Sequence, residues 1–174
     1  PHYGADGRIY ALERTWAGAG RGSDSSAQSK LISVNSAGFD ARTHASSEFA
    51  TDFRISPDGR YLAFIEHFQL YLTVMPAQGL TFQVCPSSTA MPVKQVSQWG
   101  ADYVSFSKDG KTLNWSIGPD YKSIQVESFL FDDEAKTTAV NLSQSIDAAK
   151  PAGVIALVGG KVITMDANRS VLEA

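Results

Sequence analysis

Asp6, Asp58 and Asp109 are the residues whose repetition first suggests chemistry, each a carboxylate set immediately before glycine and a cation: Asp6-Gly7-Arg8, Asp58-Gly59-Arg60 and Asp109-Gly110-Lys111. Repeated carboxylates would suit acid–base work. Their identical place before glycine points to turns instead, because an Asp side chain folds back onto nearby backbone N–H groups and glycine accepts a positive φ. The histidines are sparser: His2, His44 and His67, none in His-x-His spacing. His67 follows Glu66, a pairing that can orient a metal-bound or general-base imidazole. With no second and third ligand beside it, it reads as a strand-end histidine next to a turn.

The remaining candidates read the same way. Asp132-Asp133-Glu134 would attract a cation but lacks the spaced oxygen ligands and the glycine of a calcium loop, so it reads as a solvated turn. Gly18, Gly20 and Gly22 have no P-loop lysine or Ser/Thr behind them and read as a flexible loop. Cys85, the single cysteine, excludes an intrachain disulfide and any multi-cysteine metal site. Before Pro86 at a strand end it reads as a small hydrophobe. No Gly-x-Ser-x-Gly elbow occurs. The sequence thus assigns no catalytic, cofactor-binding or metal-ligating residue. It singles out turn formers: Asp6, Gly7, Ser56, Pro57, Asp58, Gly59, Ser107, Asp109 and Gly110.

The elements that must carry these turns are strands. Phe53–Glu66 reads as a strand, a turn at Ser56-Pro57-Asp58-Gly59 and a second strand, with Phe53, Ile55, Leu62 and Phe64 on apolar faces. The glycines at 7, 59 and 110 recur at a spacing of about 50 residues, in the range of propeller blades. The fold class expected is all-β, with blade units at about 1–48, 49–95 and 96–147, a linker at 148–153 and new strands over 154–174. The first unit is expected to lack the strand before Arg8 and to carry strands at Arg8–Glu13, Lys30–Asn35 and Phe39–His44, with Trp16–Ser29 a long hairpin loop. The second is expected to place strands at Thr51–Ile55, Tyr61–Glu66, Leu70–Met75 and Thr81–Cys85, with Pro86–Gln95 a connector. The third should run through Tyr103–Phe106, Thr112–Ile117, Ser123–Phe131 and Thr138–Leu142, with Tyr103, Trp115, Tyr121 and Phe129 packing between sheets. Val154–Val158 and Lys161–Met165 read as two strands hinged at Gly159-Gly160.

The chain has 174 residues, 43% hydrophobic and 19% charged, enough for a core of its own. A net charge of −3 without a Lys/Arg cluster argues against a nucleic-acid partner. No run approaches the roughly 18 apolar residues of a membrane span. The start at Pro1, without Met or apolar leader, is what a removed targeting peptide or a start inside a longer protein would give.

Ser56-Pro57-Asp58-Gly59-Arg60-Tyr61-Leu62-Ala63-Phe64, followed by Gln69–Met75, resembles a blade of the TolB-like β-propellers. The run Ile155–Asp166 resembles the opening strands of amidohydrolase-superfamily enzymes. Glu66–Tyr71, Pro92–Ser97, Leu113–Pro119 and Lys150–Leu157 are similar to the branch in which a TolB-like propeller precedes the hydrolase. The resemblance implies a non-catalytic piece: a partial propeller followed by the first strands of a β-sandwich. The missing barrel of roughly 250 residues would hydrolyse C–N or related bonds with water activated by a divalent metal, zinc first among them. It also implies a periplasmic or secreted location, and as partner the rest of the same enzyme or a second copy. The alternatives are a free-standing TolB-like scaffold in the periplasm and the propeller gate of a serine peptidase. An incomplete ring is expected to expose apolar end faces that include Phe53, Ile55, Leu62, Phe64, Trp115 and Ile117.

Overall fold

The computed structural model describes residues 1–15, 28–76, 81–89, 91–132, 136–150, 152–156, 158–168 and 170–173. Among the described residues the chain is all-β apart from one short helix, and it divides into two units, Pro1–Ser143 and Gln144–Ala174. The first unit holds three successive sheets. Sheet 1 contains β1 (His2–Tyr3), β2 (Ile9–Thr15), β3 (Gln28–Val34) and β4 (Arg42–Ser47) in sequential antiparallel order. Sheet 2 contains β5 (Ala50–Ile55), β6 (Tyr61–Glu66) and β7 (Gln69–Val74). The next strand, β8 (Phe82–Gln83), leaves sheet 2 and pairs parallel to β4 at the edge of sheet 1, while β9 (Val93–Gln95) closes sheet 2 against β7. Sheet 3 contains β10 (Asp102–Phe106), β11 (Thr112–Ile117), β12 (Asp120–Gln125) and β13 (Thr138–Asn141), with α1 (Val126–Phe131) directly after β12.

Sheet 2 is the middle layer. One of its faces meets sheet 1 through Tyr10, Leu31, Ala45, Phe53, Leu62 and Phe64. The other meets sheet 3 through Ala63, Leu72, Val104, Leu113, Trp115 and Ile124. Strand β6 is therefore buried on both sides, and Leu62, Ala63 and Phe64 are at most 1% exposed in succession. Each fully buried Leu or Phe contributes about 1.5–3 kcal/mol of transfer free energy. The first strands of sheets 2 and 3 are tied directly, Arg54 Nε donating to Val104 O at 3.1 Å.

The structure corrects several expectations. A strand does precede Arg8: His2 and Tyr3 pair with Tyr10 and Ile9. The Thr81–Cys85 segment pairs with sheet 1 because β4 offers an unpaired edge, to which Val84 N donates through Ser46 O at 2.8 Å, and because Val84 fills the core between sheets 1 and 2. The presumed connector supplies the fourth strand of sheet 2 instead. The Phe39–His44 strand begins later, at Arg42, because Asn35 Oδ1 accepts from Ala37 N and Phe39 N and extends the turn. Ser123–Phe131 is strand only to Gln125. Val126 and Leu130 are both buried, and α1 brings them about 6 Å apart along its axis, where an extended chain would hold them about 13 Å apart.

Phe53, Ile55, Leu62, Phe64 and Trp115 lie in the inter-sheet cores and not on open faces. The outer face of sheet 3, opposite Leu113 and Trp115, carries Asn114, Ser116, Ser123 and Thr138 with Tyr121 and Val140, and is largely polar. Tyr103 and Tyr121 are exposed, at 89% and 42%, so they do not pack between sheets. The Trp16–Ser29 loop, with Gly18, Gly20 and Gly22, falls almost wholly outside the described residues, as do Asp133 and Glu134.

In the second unit β14 (Lys161–Ile163) pairs antiparallel with β15 (Val171–Glu173), and Asp166 shapes the turn by accepting from Ser170 N at 3.1 Å. No strand forms among the described residues of 154–158, where Val154, Ile155 and Val158 are 99%, 66% and 85% exposed. No helix among the described residues is long and apolar enough to cross a membrane.

Candidate functional site

Ser56, Asp58 and Gly59 build the turn between β5 and β6 by a fixed scheme. Asp58 Oδ1 accepts from Ser56 Oγ at 2.6 Å and from Arg60 N at 3.1 Å, Ser56 Oγ accepts from Tyr61 N at 2.9 Å, and Gly59, at φ +74°, donates its N–H to Ser56 O at 2.8 Å. Pro57 at the first corner fixes φ and gives up no needed donor. The β10–β11 turn repeats the scheme. Ser107 Oγ donates to Asp109 Oδ1 at 2.6 Å, Lys111 N donates to the same oxygen at 3.1 Å, Thr112 N donates to Ser107 Oγ at 3.0 Å, and Gly110 has φ +72°.

The β1–β2 turn keeps Asp6 Oδ1 as acceptor for Arg8 N at 3.1 Å and Gly7 at φ +73°, but puts Gly4 where the others have serine. A Cβ on Gly4 would lie 2.5 Å from the Tyr10 ring, whose hydroxyl donates to Asp6 Oδ2 at 2.9 Å. The aromatic anchor has replaced the serine bond.

The three turns form a row. Ala5 N donates to Pro57 O at 3.1 Å, and Gly110 stands so close to the next turn that a Cβ there would come within 3.4 Å of Asp58 Oδ1. The structure thus brings together all nine residues singled out from the sequence, each Asp carboxylate accepting within its own turn. Between the second and third turns and the start of α1 lies a groove of about 330 Å³, lined by Asp58, Arg60, Tyr61, Asp109, Lys111 and Glu127 among others. Its charges are matched internally. Arg60 Nη2 is 3.3 Å from Glu127 Oε1 and lies over the Tyr61 ring, and Tyr61 Oη donates to Glu127 Oε1 at 3.1 Å. Burial and the bond to Glu127 push the Tyr61 hydroxyl up, and the bonds from Ser107 and Lys111 hold the Asp109 carboxyl below its usual range. Such a groove offers polar contacts of both signs and no activated nucleophile.

The histidines are dispersed. His2 stacks on Tyr10 at 5.7 Å, and burial, with Arg54 nearby, lowers its pKa to about 4. His44 lies against the other side of the same network, its Nε2 2.7 Å from Ser33 Oγ. Ser33 Oγ also accepts from Arg8 Nε at 2.8 Å, so the guanidinium and the imidazole share one hydroxyl. Burial and Arg8 lower the His44 pKa. Ser33 and His44 have the separation of a nucleophile and its base, but Ser33 is 0% exposed and no substrate can reach it. His67 is exposed at the β6–β7 turn, 3.8 Å from Glu66 Oε1, while Glu66 itself is buried and accepts from Ser47 Oγ at 3.0 Å. Cys85 Sγ lies 3.4 Å from Ser87 Oγ. Among the described residues no three His, Cys, Asp or Glu side chains gather as a metal site would require.

Sequence reasoning missed Glu127 and the Arg8–Ser33–His44 network. The partners lie far apart in the chain, and the only local hint, a basic residue after each Asp-Gly, does not say whom the base meets. Compared with family models, with curated proteins and with solved structures, the chain finds no match in any of the three.

Proposed function

We propose that this chain is the non-catalytic propeller portion of a metal-dependent amidohydrolase-like enzyme, in which it scaffolds the catalytic barrel or frames access to it. The observation that carries the reading is the row of three like turns: three successive sheets, antiparallel except where β8 joins β4, are stacked through apolar faces and bring their Asp-Gly corners side by side, as consecutive blades of a propeller do. The β14–β15 hairpin of the second unit supports the sandwich part of the reading only as a pair of strands after the last sheet. His2, His44 and His67 do not fit a divalent-metal site, being held apart by Tyr10, Ser33 and the β6–β7 turn. On this reading the metal, zinc, belongs to a barrel outside these residues, and the enzyme acts in the periplasm or outside the cell.

The test is the reading frame around this segment together with metal analysis of its full product. The proposal expects a His-x-His downstream and about one or two zinc ions per full chain after dialysis. A downstream Gly-x-Ser-x-Gly elbow would point to a peptidase gate, and a frame with no hydrolase at all to a free-standing scaffold. Either result overturns the amidohydrolase reading.

A further inference from the structure

The hairpin between β6 and β7 breaks the rules of its own turn. Glu66 pairs with Gln69, leaving a two-residue loop in which His67 and Phe68 have φ +47° and +67°. Positive φ at both positions is the type I′ geometry, which selects Asn-Gly because a Cβ is strained there. The corresponding two-residue turn of sheet 3 needs positive φ at its first position only, and fills it with glycine: Gly118 at φ +55° is followed by Pro119. Sheet 2 instead spends the strained positions on an imidazole and a phenyl ring, the latter 83% exposed.

The same device recurs beside it. Strand β10 is bulged between Asp102 and Ser105, and within the bulge Tyr103 has φ +53° and is 89% exposed. Bulges re-aim side chains, and strained bulky residues held by a rigid sheet mark sites of use. The two distortions are joined: Phe68 O accepts from Ala101 N at 3.0 Å, and Gly100 at φ +103° leaves room for that carbonyl, which a Cβ would approach to 3.3 Å. Trp99, next to this glycine, is 80% exposed. Three aromatic residues, each at least 80% exposed, thus stand on two backbone segments joined by that bond, and one of them, Trp99, lines a groove of about 270 Å³.

The groove's polar lining selects among ligands. Lys122 and the Trp99 indole N–H are donors only, Ser97, Gln98 and Thr137 can donate as well as accept, and no carboxylate lines it among the described residues, so donors outnumber obligate acceptors. A proline-rich segment in the polyproline II conformation presents apolar rings with carbonyl acceptors and almost no backbone donors, and its low conformational entropy suits a shallow aromatic site. We propose that Phe68, Trp99 and Tyr103, with the groove that Trp99 lines, form a binding site for an extended proline-rich polypeptide segment. This inference uses only the β6–β7 hairpin, the β10 bulge and the residues between them, and stands independently of the amidohydrolase reading.

The probe is an acetylated, amidated decaproline, titrated against the full chain by calorimetry, with a Gly-Ser decamer and chitohexaose as comparisons. The expected result is saturable decaproline binding that Trp99→Ala weakens by about tenfold or more and Phe68→Ala by several-fold, while Phe39→Ala, at a ring 73% exposed elsewhere on the unit, leaves it unchanged. Unaltered melting of each variant shows that the loss is local. No decaproline binding at up to about 1 mM, equal binding by the Gly-Ser decamer, or binding that survives Trp99→Ala overturns the proposal. Chitohexaose binding that is lost in Trp99→Ala, with decaproline inert, overturns it in favour of a glycan site.

Discussion

At the residue scale, glycines in the turn row differ in what they forbid, and substitution can separate the reasons. Gly59 has open space around its Cβ position but φ +74°, so a side chain there is opposed by its own backbone. Gly59→Val is expected to cost about 1–3 kcal/mol and Gly59→Asn clearly less, because Asn tolerates the left-handed region. At Gly4 the obstacle is the Tyr10 ring, so Asn should rescue nothing there. Urea unfolding of the four variants reads both comparisons, and equal midpoints for Val and Asn at 59 would contradict the turn assignment.

The buried histidines give a second prediction. His2 titrates near 4 in the folded chain against 6.5 in the unfolded one, and His44 is shifted the same way by burial and Arg8. The unfolded chain therefore takes up protons first, so stability is full above pH 6.5 and falls as the pH drops toward about 4. Asp52, raised by burial, opposes this at the acid end. Thermal melts across that window should show the decline, and His44→Gln should make it shallower.

At the scale of elements, β8 is a strand that follows sheet 2 and completes sheet 1. Its anchor is Val84, 1% exposed, whose N–H donates to Ser46 O. Because this tie holds the two sheets to each other, the Val84 amide should exchange as slowly as those of β6, and Val84→Ala should cost about 2 kcal/mol. Fast exchange at Val84 would mean that β8 frays independently of the core. Leu62 sits deeper, in the strand covered on both faces, and Leu62→Ala should cost about 2–5 kcal/mol.

At the scale of the molecule, the first unit has two outer faces of different character. Sheet 3 turns a mostly polar face outward, whereas sheet 1 presents half-buried Ile9, Ala11, Ile32 and Val34 opposite its core-facing Tyr10 and Leu31. If the sheets are consecutive blades of a larger ring, the aliphatic face is where the next layer packs. The chain alone is then expected to self-associate at high micromolar concentration, and Ile32→Lys to abolish this. Light scattering that finds a monomer throughout would count against the open-ring reading.

The turns were legible in the sequence because their determinants are local. Asp58 and Asp109 reach acceptor positions two residues from the N–H they satisfy, glycine supplies the positive φ, and no distant residue is consulted. The strands flanking them were legible for the same reason, their apolar residues alternating along β5 and β11 and running without a break along β6. What no local pattern carries is the choice of partner. The short Phe82–Gln83 segment fits either sheet by its own alternation, and goes to sheet 1 because β4 has an unpaired edge and a space for Val84 lies beside it. The sequence 126–131 includes the β-forming Val126, Phe129 and Phe131, yet winds into α1, which sets Val126 and Leu130 one turn apart in the same core. The aromatic rim at Phe68, Trp99 and Tyr103 was illegible because neither the positive φ of Phe68 and Tyr103 nor the bond that joins hairpin to bulge has a local signature. Edge pairing and burial are settled only when segments far apart in the chain compete for the same backbone groups and the same space.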